Sequence, residues 1–71
     1  MRELQRRLVS ENPRFRNIWV QPVRARGNQY RVIITLFPLG YGGYRMIFAE
    51  PIDFTYESIN SILQKHLVES N

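Results

Sequence analysis

The side chains that most often perform catalysis or bind metals are scarce in this 71-residue chain, which has one histidine, His66, and no cysteine. A histidine–thiol nucleophile is therefore excluded, and a histidine-rich metal site is not expected. Glu50 and Asp53 lie three residues apart across a proline and could bind a hard cation weakly, but Asp53 is better explained as a helix cap. We expect no enzymatic activity, no cofactor and no small-molecule substrate.

The glycine-rich segment 40–43 superficially suggests a phosphate-binding loop. It lacks the lysine and the following helix that a Walker-type loop needs, so a turn between two strands is the better interpretation. Tyr41, at the tip of this turn, could still contact a ligand.

Positive charge is concentrated in the first two thirds of the chain. Residues 1–49 carry all nine arginines and two glutamates, a net charge of +7, whereas residues 50–71 carry a net charge of −3. Arginine favours planar, bidentate contacts with anionic groups. The asymmetry is compatible with ordinary surface solvation, and also with a basic sheet that faces an anionic partner.

Two strand-like runs organise the chain. Residues 30–37 and 44–48 are rich in β-branched and aromatic side chains, and the segment 38–43 between them contains proline and glycine, which favour a turn. In a further run upstream, Pro22 lacks a hydrogen-bond donor and therefore indicates an edge strand or a bulge. A three-stranded antiparallel meander is predicted, with strands at about 14–26, 29–37 and 43–49.

Helices are predicted at both ends of the chain. Residues 2–11 carry two leucines on one face, and Asn12-Pro13 ends this helix because a residue before proline disfavours helical geometry. Residues 55–69 follow, with Asp53 or Thr55 as the N-cap. Their apolar stripe consists of Tyr56, Ile59, Ile62, Leu63, His66 and Leu67. The 44% hydrophobic composition suits one folded α+β domain, residues 1–71, of the order α-β-β-β-α.

The turn chemistry predicts how the strands pair. Gly27-Asn28 suits a two-residue type II′ turn, which fixes the pairing of the first two strands, and Phe37 opposite Gly43 fixes that of the second and third. The resulting core face, covered by the C-terminal helix, consists of Trp19, Gln21, Val23, Ala25, Tyr30, Val32, Ile34, Leu36, Tyr44, Met46 and Phe48. This register is preferred because a slip of one residue would place Arg45 in the core.

The opposite face of the sheet is the predicted binding surface. Its apolar centre is too large for a face exposed to water, and Arg24 is expected across from Arg31, where like charges destabilise a sheet. An apolar centre with an arginine rim is typical of an interface. The predicted partner-binding residues are Ile18, Val20, Arg24, Arg31, Ile33, Phe37, Arg45 and Ile47. The first helix, a second copy of the chain or another protein could cover this face.

The predicted order of elements resembles that of double-stranded-RNA-binding domains, which place a lysine-rich motif at the start of the last helix. The corresponding stretch here, residues 53–57, is acidic, so the resemblance does not imply RNA binding by that route. The chain also resembles ubiquitin-conjugating enzymes and their non-catalytic relatives, the RWD domains. This second resemblance rests on Leu4–Leu8, Gln29–Ile34, Tyr41-Gly-Gly43 and Pro51-Ile-Asp-Phe54. Without a catalytic cysteine it implies protein docking and no conjugation.

The sequence therefore predicts a non-catalytic protein-interaction module, such as a small subunit, an adaptor or an inhibitor-like protein, whose partner is another protein or a second copy. The alternative is a nucleic-acid-binding domain. Its candidate contacts are Arg2, Arg6, Arg7, Arg16, Trp19 and Tyr41. No apolar run approaches the ~20 residues that span a bilayer, and the charged start lacks the apolar segment of a secretory signal. We expect a soluble cytoplasmic protein that does not bind membranes.

Overall fold

The computed structural model describes residues 2–24, 30–40, 42–50 and 53–69 of the chain. The elements are α1 (Arg2–Glu11), β1 (Phe15–Arg24), β2 (Tyr30–Pro38), β3 (Arg45–Ala49) and α2 (Tyr56–Glu69). This order confirms the predicted α+β fold, α-β-β-β-α. Neither helix in the described ranges is long and apolar enough to cross a membrane.

The three strands form one open antiparallel sheet in the order β1-β2-β3, which confirms the predicted meander. β1 is an edge strand, as the position of Pro22 indicates, because proline has no backbone N–H to donate to a neighbouring strand. At this edge the backbone N–H of Val20 donates a hydrogen bond to Oε1 of Gln5 in α1, at 2.6 Å. The helix thus satisfies an edge donor that could otherwise pair with another chain.

The predicted register is wrong by one residue in both strand pairs. Ile34 lies opposite Val20 on β1 and opposite Ile47 on β3, where the turn chemistry predicts Gln21 and Met46. Because side chains alternate along a strand, a shift of one residue exchanges the two faces. β2 therefore presents its predicted face to the core. β1 and β3 instead present to the core the faces that were predicted to lie on the opposite side of the sheet.

The shifted pairing of β1 follows from the pairing of Arg24 with Tyr30, and the start of β1 carries a separate irregularity. The register changes between Phe15 and Asn17, so Phe15 and Ile18, three residues apart, are both buried. At the other end Arg24 pairs with Tyr30, which leaves residues 25–29 between the paired positions. The predicted two-residue turn, Gly27-Asn28, lies outside the described residues.

The sequence argues against the observed register of β3, because this register pairs Arg45 with Leu36, a core residue of β2. Arg45 does lie opposite Leu36, but it is the first residue of β3 and remains exposed. The cost of burying its charge therefore does not arise. Ile47, the next residue on that side of the strand, enters the core.

Both helices pack on the same face of the sheet, which we call the covered face. α1 contributes Leu8 to the core, and α2 contributes Ile59 and Leu63, all without exposed surface. The rest of the predicted stripe of α2 is partly buried beside them. The sheet contributes Phe15, Ile18, Val20, Val32, Ile34, Leu36 and Ile47. The core is thus almost entirely aliphatic.

Thr55 is the N-cap of α2. Its Oγ1 accepts a hydrogen bond from the backbone N–H of Ser58 at 3.2 Å, and its carbonyl accepts one from the N–H of Ile59 at 3.1 Å. The carboxylate of Asp53 accepts hydrogen bonds from the hydroxyl groups of Ser58 and Thr55. These bonds, that of Ser58 above all, lower the pKa of Asp53 below its ordinary value.

Asp53→Asn is expected to reduce the acid sensitivity of folding. Because the pKa of Asp53 is lower in the folded than in the unfolded chain, its carboxylate stabilises the fold above about pH 4, and this contribution is lost as the pH falls through the lowered pKa. Melting temperatures of wild type and variant should therefore differ at neutral pH and converge in acid. Glu57→Gln, which removes an exposed carboxylate from the first turn of α2, is the control. An equal convergence in that control would contradict the role given to Asp53.

Candidate interaction surface

The side of the sheet opposite the two helices, which we call the open face, is covered by no element within the described ranges. Its strand positions alternate with the buried ones. Its apolar side chains are Trp19 and Val23 from β1, Ile33 and Phe37 from β2, Met46 and Phe48 from β3, and Tyr44 immediately before β3. Phe48, Tyr44 and Trp19 remain 71%, 63% and 48% exposed. Three of these exposed aromatic side chains therefore share one face, whereas Tyr30, 47% exposed at the start of β2, lies on the other side of the sheet.

Three of the predicted partner-binding residues are not available for binding. Ile18, Val20 and Ile47 are buried in the core beneath the helices, because the register shift turns them to the covered face. Ile33 and Phe37, which belong to the correctly predicted face of β2, do lie on the open face and are partly buried by their neighbours.

The predicted arginine rim is also rearranged. Arg31 lies opposite Val23 and not opposite Arg24, so the expected repulsion between two facing arginines is absent from this pair of positions. Arg45 is exposed, but it alternates with Met46 and so does not share the open face. The side chain of Arg24 and the whole of Tyr41 lie outside the described residues.

Three aromatic rings form a row across one end of the open face. The ring centroids of Trp19 and Phe37 are 5.0 Å apart at an interplanar angle of 60°, and those of Phe37 and Tyr44 are 6.1 Å apart at 45°. The guanidinium group of Arg16 lies 5.3 Å from the centroid of Phe37. Edge-to-face and cation–π contacts of this kind hold rings in fixed orientations. The rings of this aromatic row are therefore held in fixed orientations before any contact with another molecule.

The opposite end of the open face carries an ion pair. Nε of Arg31 lies 3.0 Å from Oε1 of Glu50, and both side chains are mostly exposed. Such a surface pair contributes little to stability, about 0–1 kcal/mol, and its members can exchange partners at low cost. Beside it lies a shallow depression of about 690 Å³, whose walls include Val23, Ile33 and Phe48.

The arginines of α1 belong to a different surface. Arg7 makes an ion pair with Glu11 at 3.1 Å and lies 3.7 Å above the ring of Tyr56. The Tyr56 hydroxyl donates a hydrogen bond to Glu11, which lowers the pKa of Glu11, and burial together with this bond raises the pKa of Tyr56. Arg2 and Arg6 are exposed on the same helix. Since α1 packs on the covered face, these arginines are not brought together with the predicted contacts Arg16 and Trp19.

Sequence reasoning placed five members of the open face in the core: Trp19 and Val23 on β1, Met46 and Phe48 on β3, and Tyr44 immediately before β3. The sequence of β3 does carry a signal for these placements, because Ile47 and Ala49 are aliphatic, like most residues of β1 and β2 that form the core. Tyr44 and Phe48 match the aromatic side chains of the other rows. Sorting the strands by aliphatic and aromatic character, rather than by turn length, identifies the open face.

The described part of the chain offers no group of three or more acidic or histidine side chains that could hold a metal ion. Glu50 is engaged by Arg31, and Asp53 by Thr55 and Ser58. Comparisons of the chain with protein-family models, with curated proteins and with solved structures find no match. The candidate functional site is accordingly the open face, defined by its own geometry.

Proposed function

We propose that this protein is a non-catalytic interaction module that binds an apolar surface of a protein through its open face. The observation that carries the proposal is the exposure of Phe48, Tyr44 and Trp19 on one side of the sheet after both helices have covered the other. Monomeric proteins seldom leave a contiguous apolar patch of this kind in water, and larger patches mark interaction sites.

The composition of the open face supports a protein partner. Tryptophan, tyrosine, phenylalanine, methionine and arginine are the residue types enriched at protein interfaces, whereas lysine and acidic residues are depleted from interface centres. Here the centre is aromatic and aliphatic, and the charged side chains Arg16, Arg31 and Glu50 lie toward its two ends. The centre therefore suits desolvation against another apolar surface, while the charged ends stay in contact with water.

A single-stranded nucleic acid is the second candidate partner, because the aromatic row Trp19–Phe37–Tyr44 with Arg16 beside it could stack on bases. Two observations weigh against it. Glu50 compensates the charge of Arg31 at the far end of the face, and the arginines of α1 lie on the other side of the sheet. Binding of this type would weaken with salt by ~0.7 logarithmic units per phosphate neutralised.

Site-specific photocrosslinking tests the proposal. A benzophenone amino acid would replace Phe48 on the open face in one variant and Val68 of α2 in another. The two positions are matched in exposure, at 71% and 73%. Irradiation in cells should give protein adducts from position 48 and few or none from position 68. Nucleic-acid adducts from position 48 would support the second candidate, and equal labelling from both positions, or no adduct from position 48, would overturn the open face as the binding surface.

A further inference from the structure

We infer that the occupant of the open face is a second copy of this chain, so that two sheets pack face to face between outer layers of helices. This inference rests on the proposed function and names its partner. Two open antiparallel sheets that pack in this way form an aligned sandwich with the facing sheets ~10 Å apart. Such an arrangement would give a 71-residue chain without disulfides a second apolar core.

The area of the open face is sufficient for a dimer. If each aromatic side chain can bury about 200 Å², the exposed fractions of Phe48, Tyr44 and Trp19 supply about 350 Å². Met46, Val23 and their partly buried neighbours raise this to roughly 600 Å² for one copy and roughly 1,200 Å² for two, which is the lower end of the range for stable specific interfaces. An interface of this area therefore predicts a dimer of moderate affinity.

The distribution of charge selects one orientation of the two copies. Arg16 lies beside Phe37 at one end of the face, and the Arg31–Glu50 pair lies about six residues away along β2, at ~20 Å. A two-fold axis that lies between the two sheets and runs perpendicular to the strands would reverse the strand direction from one copy to the other. Arg16 of each copy would then lie over the far end of the open face of the other copy, near Glu50. An axis parallel to the strands would oppose Arg16 to itself. Charge complementarity favours the first arrangement, because Arg16 of each copy then meets the neutral Arg31–Glu50 pair of the other and not a second Arg16, and two equivalent Arg16–Glu50 contacts can form.

Light scattering across a protein dilution series measures this association directly, and Trp19 provides a second signal. Trp19 is the only tryptophan, and it is half exposed on the open face, so its emission should shift to shorter wavelength as the dimer forms. Phe48→Asp should weaken the dimer about 30-fold or more, as expected for the aromatic anchor of the open face with the largest exposed fraction. Val68→Asp introduces the same charge at an equally exposed site on α2 and should leave the association unchanged.

A charge exchange tests the orientation. Arg16→Glu and Glu50→Arg should each weaken the dimer several-fold, and the double variant should recover part of the loss. Recovery supports the two-fold arrangement, whereas additive losses would overturn it. Circular dichroism should show that Phe48→Asp keeps the fold, since this side chain is largely exposed.

The outcomes separate this inference from the function on which it rests. A wild-type chain that stays monomeric at all concentrations, or a dimer insensitive to Phe48→Asp, would overturn the self-association. If position 48 then crosslinks to other proteins, the interaction module stands with a different partner. If position 48 crosslinks to nothing, both proposals fail.

Discussion

Replacing Ile18 with alanine is expected to lower the free energy of unfolding by about 2–5 kcal/mol, the usual cost of truncating a fully buried aliphatic side chain. Ile18 has no exposed surface and belongs to the cluster that joins both helices to the sheet. Truncation removes transfer free energy and leaves a cavity. A 71-residue chain has a total stability of about 4–10 kcal/mol at typical values per residue, so this one change would remove a large share of it.

The adjacent Trp19 provides the matched comparison. Although tryptophan is larger, Trp19 is half exposed and contacts Phe37 through a ring edge, so Trp19→Ala should cost less than Ile18→Ala, about 2 kcal/mol for the half of the side chain that is buried. Urea denaturation followed by circular dichroism would measure both variants, at two protein concentrations to separate folding from association. A larger loss for Trp19→Ala than for Ile18→Ala would mean that β1 presents its other face to the helices.

The elements themselves were predictable from sequence because each carries a local signal. The end of α1 follows from Asn12-Pro13, and the apolar stripe of α2 buries Ile59 and Leu63 as its spacing predicts. The edge position of β1 follows from Pro22. None of these inferences requires knowledge of a distant part of the chain.

Strand register depends on long-range packing, and local turn chemistry was a poor guide to it. Arg24 pairs with Tyr30, one residue earlier than the turn chemistry predicts, and this shift changes which residues of β1 face inward from Asn17 to Arg24. On β3, the charge of Arg45 argues against the observed register, because the sequence does not show that Arg45 begins the strand and is exposed there. The same two errors exchanged the faces of β1 and β3.

The predicted assignment of residues to the two faces of the sheet therefore agrees with the structure for β2 and is exchanged for β1 and β3. Arg31, Ile33 and Phe37 were assigned to the open face and lie there. Ile18, Val20 and Ile47 were assigned to it and form the core instead. The prediction that the sheet has more apolar surface than one long helix can cover does not depend on register, and the open face does keep exposed apolar side chains.

The second large effect is expected at Asn12, where α1 ends. Asn12 is 7% exposed; its Nδ2 donates to the carbonyl of Leu8 at 2.8 Å, and its Oδ1 accepts from Nε2 of Gln64 in α2 at 3.0 Å. Asn12→Asp would replace the donor with a carboxylate oxygen that faces the Leu8 carbonyl. The expected loss at neutral pH exceeds ~3 kcal/mol, since unsatisfied buried charges cost more than neutral groups.

This loss should depend on pH in a way that a cavity or a lost contact would not. Burial and the facing carbonyl raise the pKa of the new carboxyl group, so its destabilising effect should be absent below about pH 4 and should grow as the pH rises through the raised pKa. The difference in free energy of unfolding between variant and wild type should be measured at each pH. This difference isolates the effect of the new carboxyl group, because the opposite trend from Asp53 is present in both proteins and cancels.

Asn60→Asp is the matched control, because Oδ1 of Asn60 accepts a hydrogen bond from the same Gln64 amide, at 3.1 Å, nearer the surface of α2. Its cost should stay within about 0.5 kcal/mol. Equal costs at the two positions, or a deficit at Asn12 that does not respond to pH, would contradict the buried donor. If the deficit does respond, the buried amide of Asn12 is the donor that ends α1. The oxygen of the same side chain accepts from Gln64, so Asn12 also links the end of α1 to α2 and helps to hold both helices on the covered face.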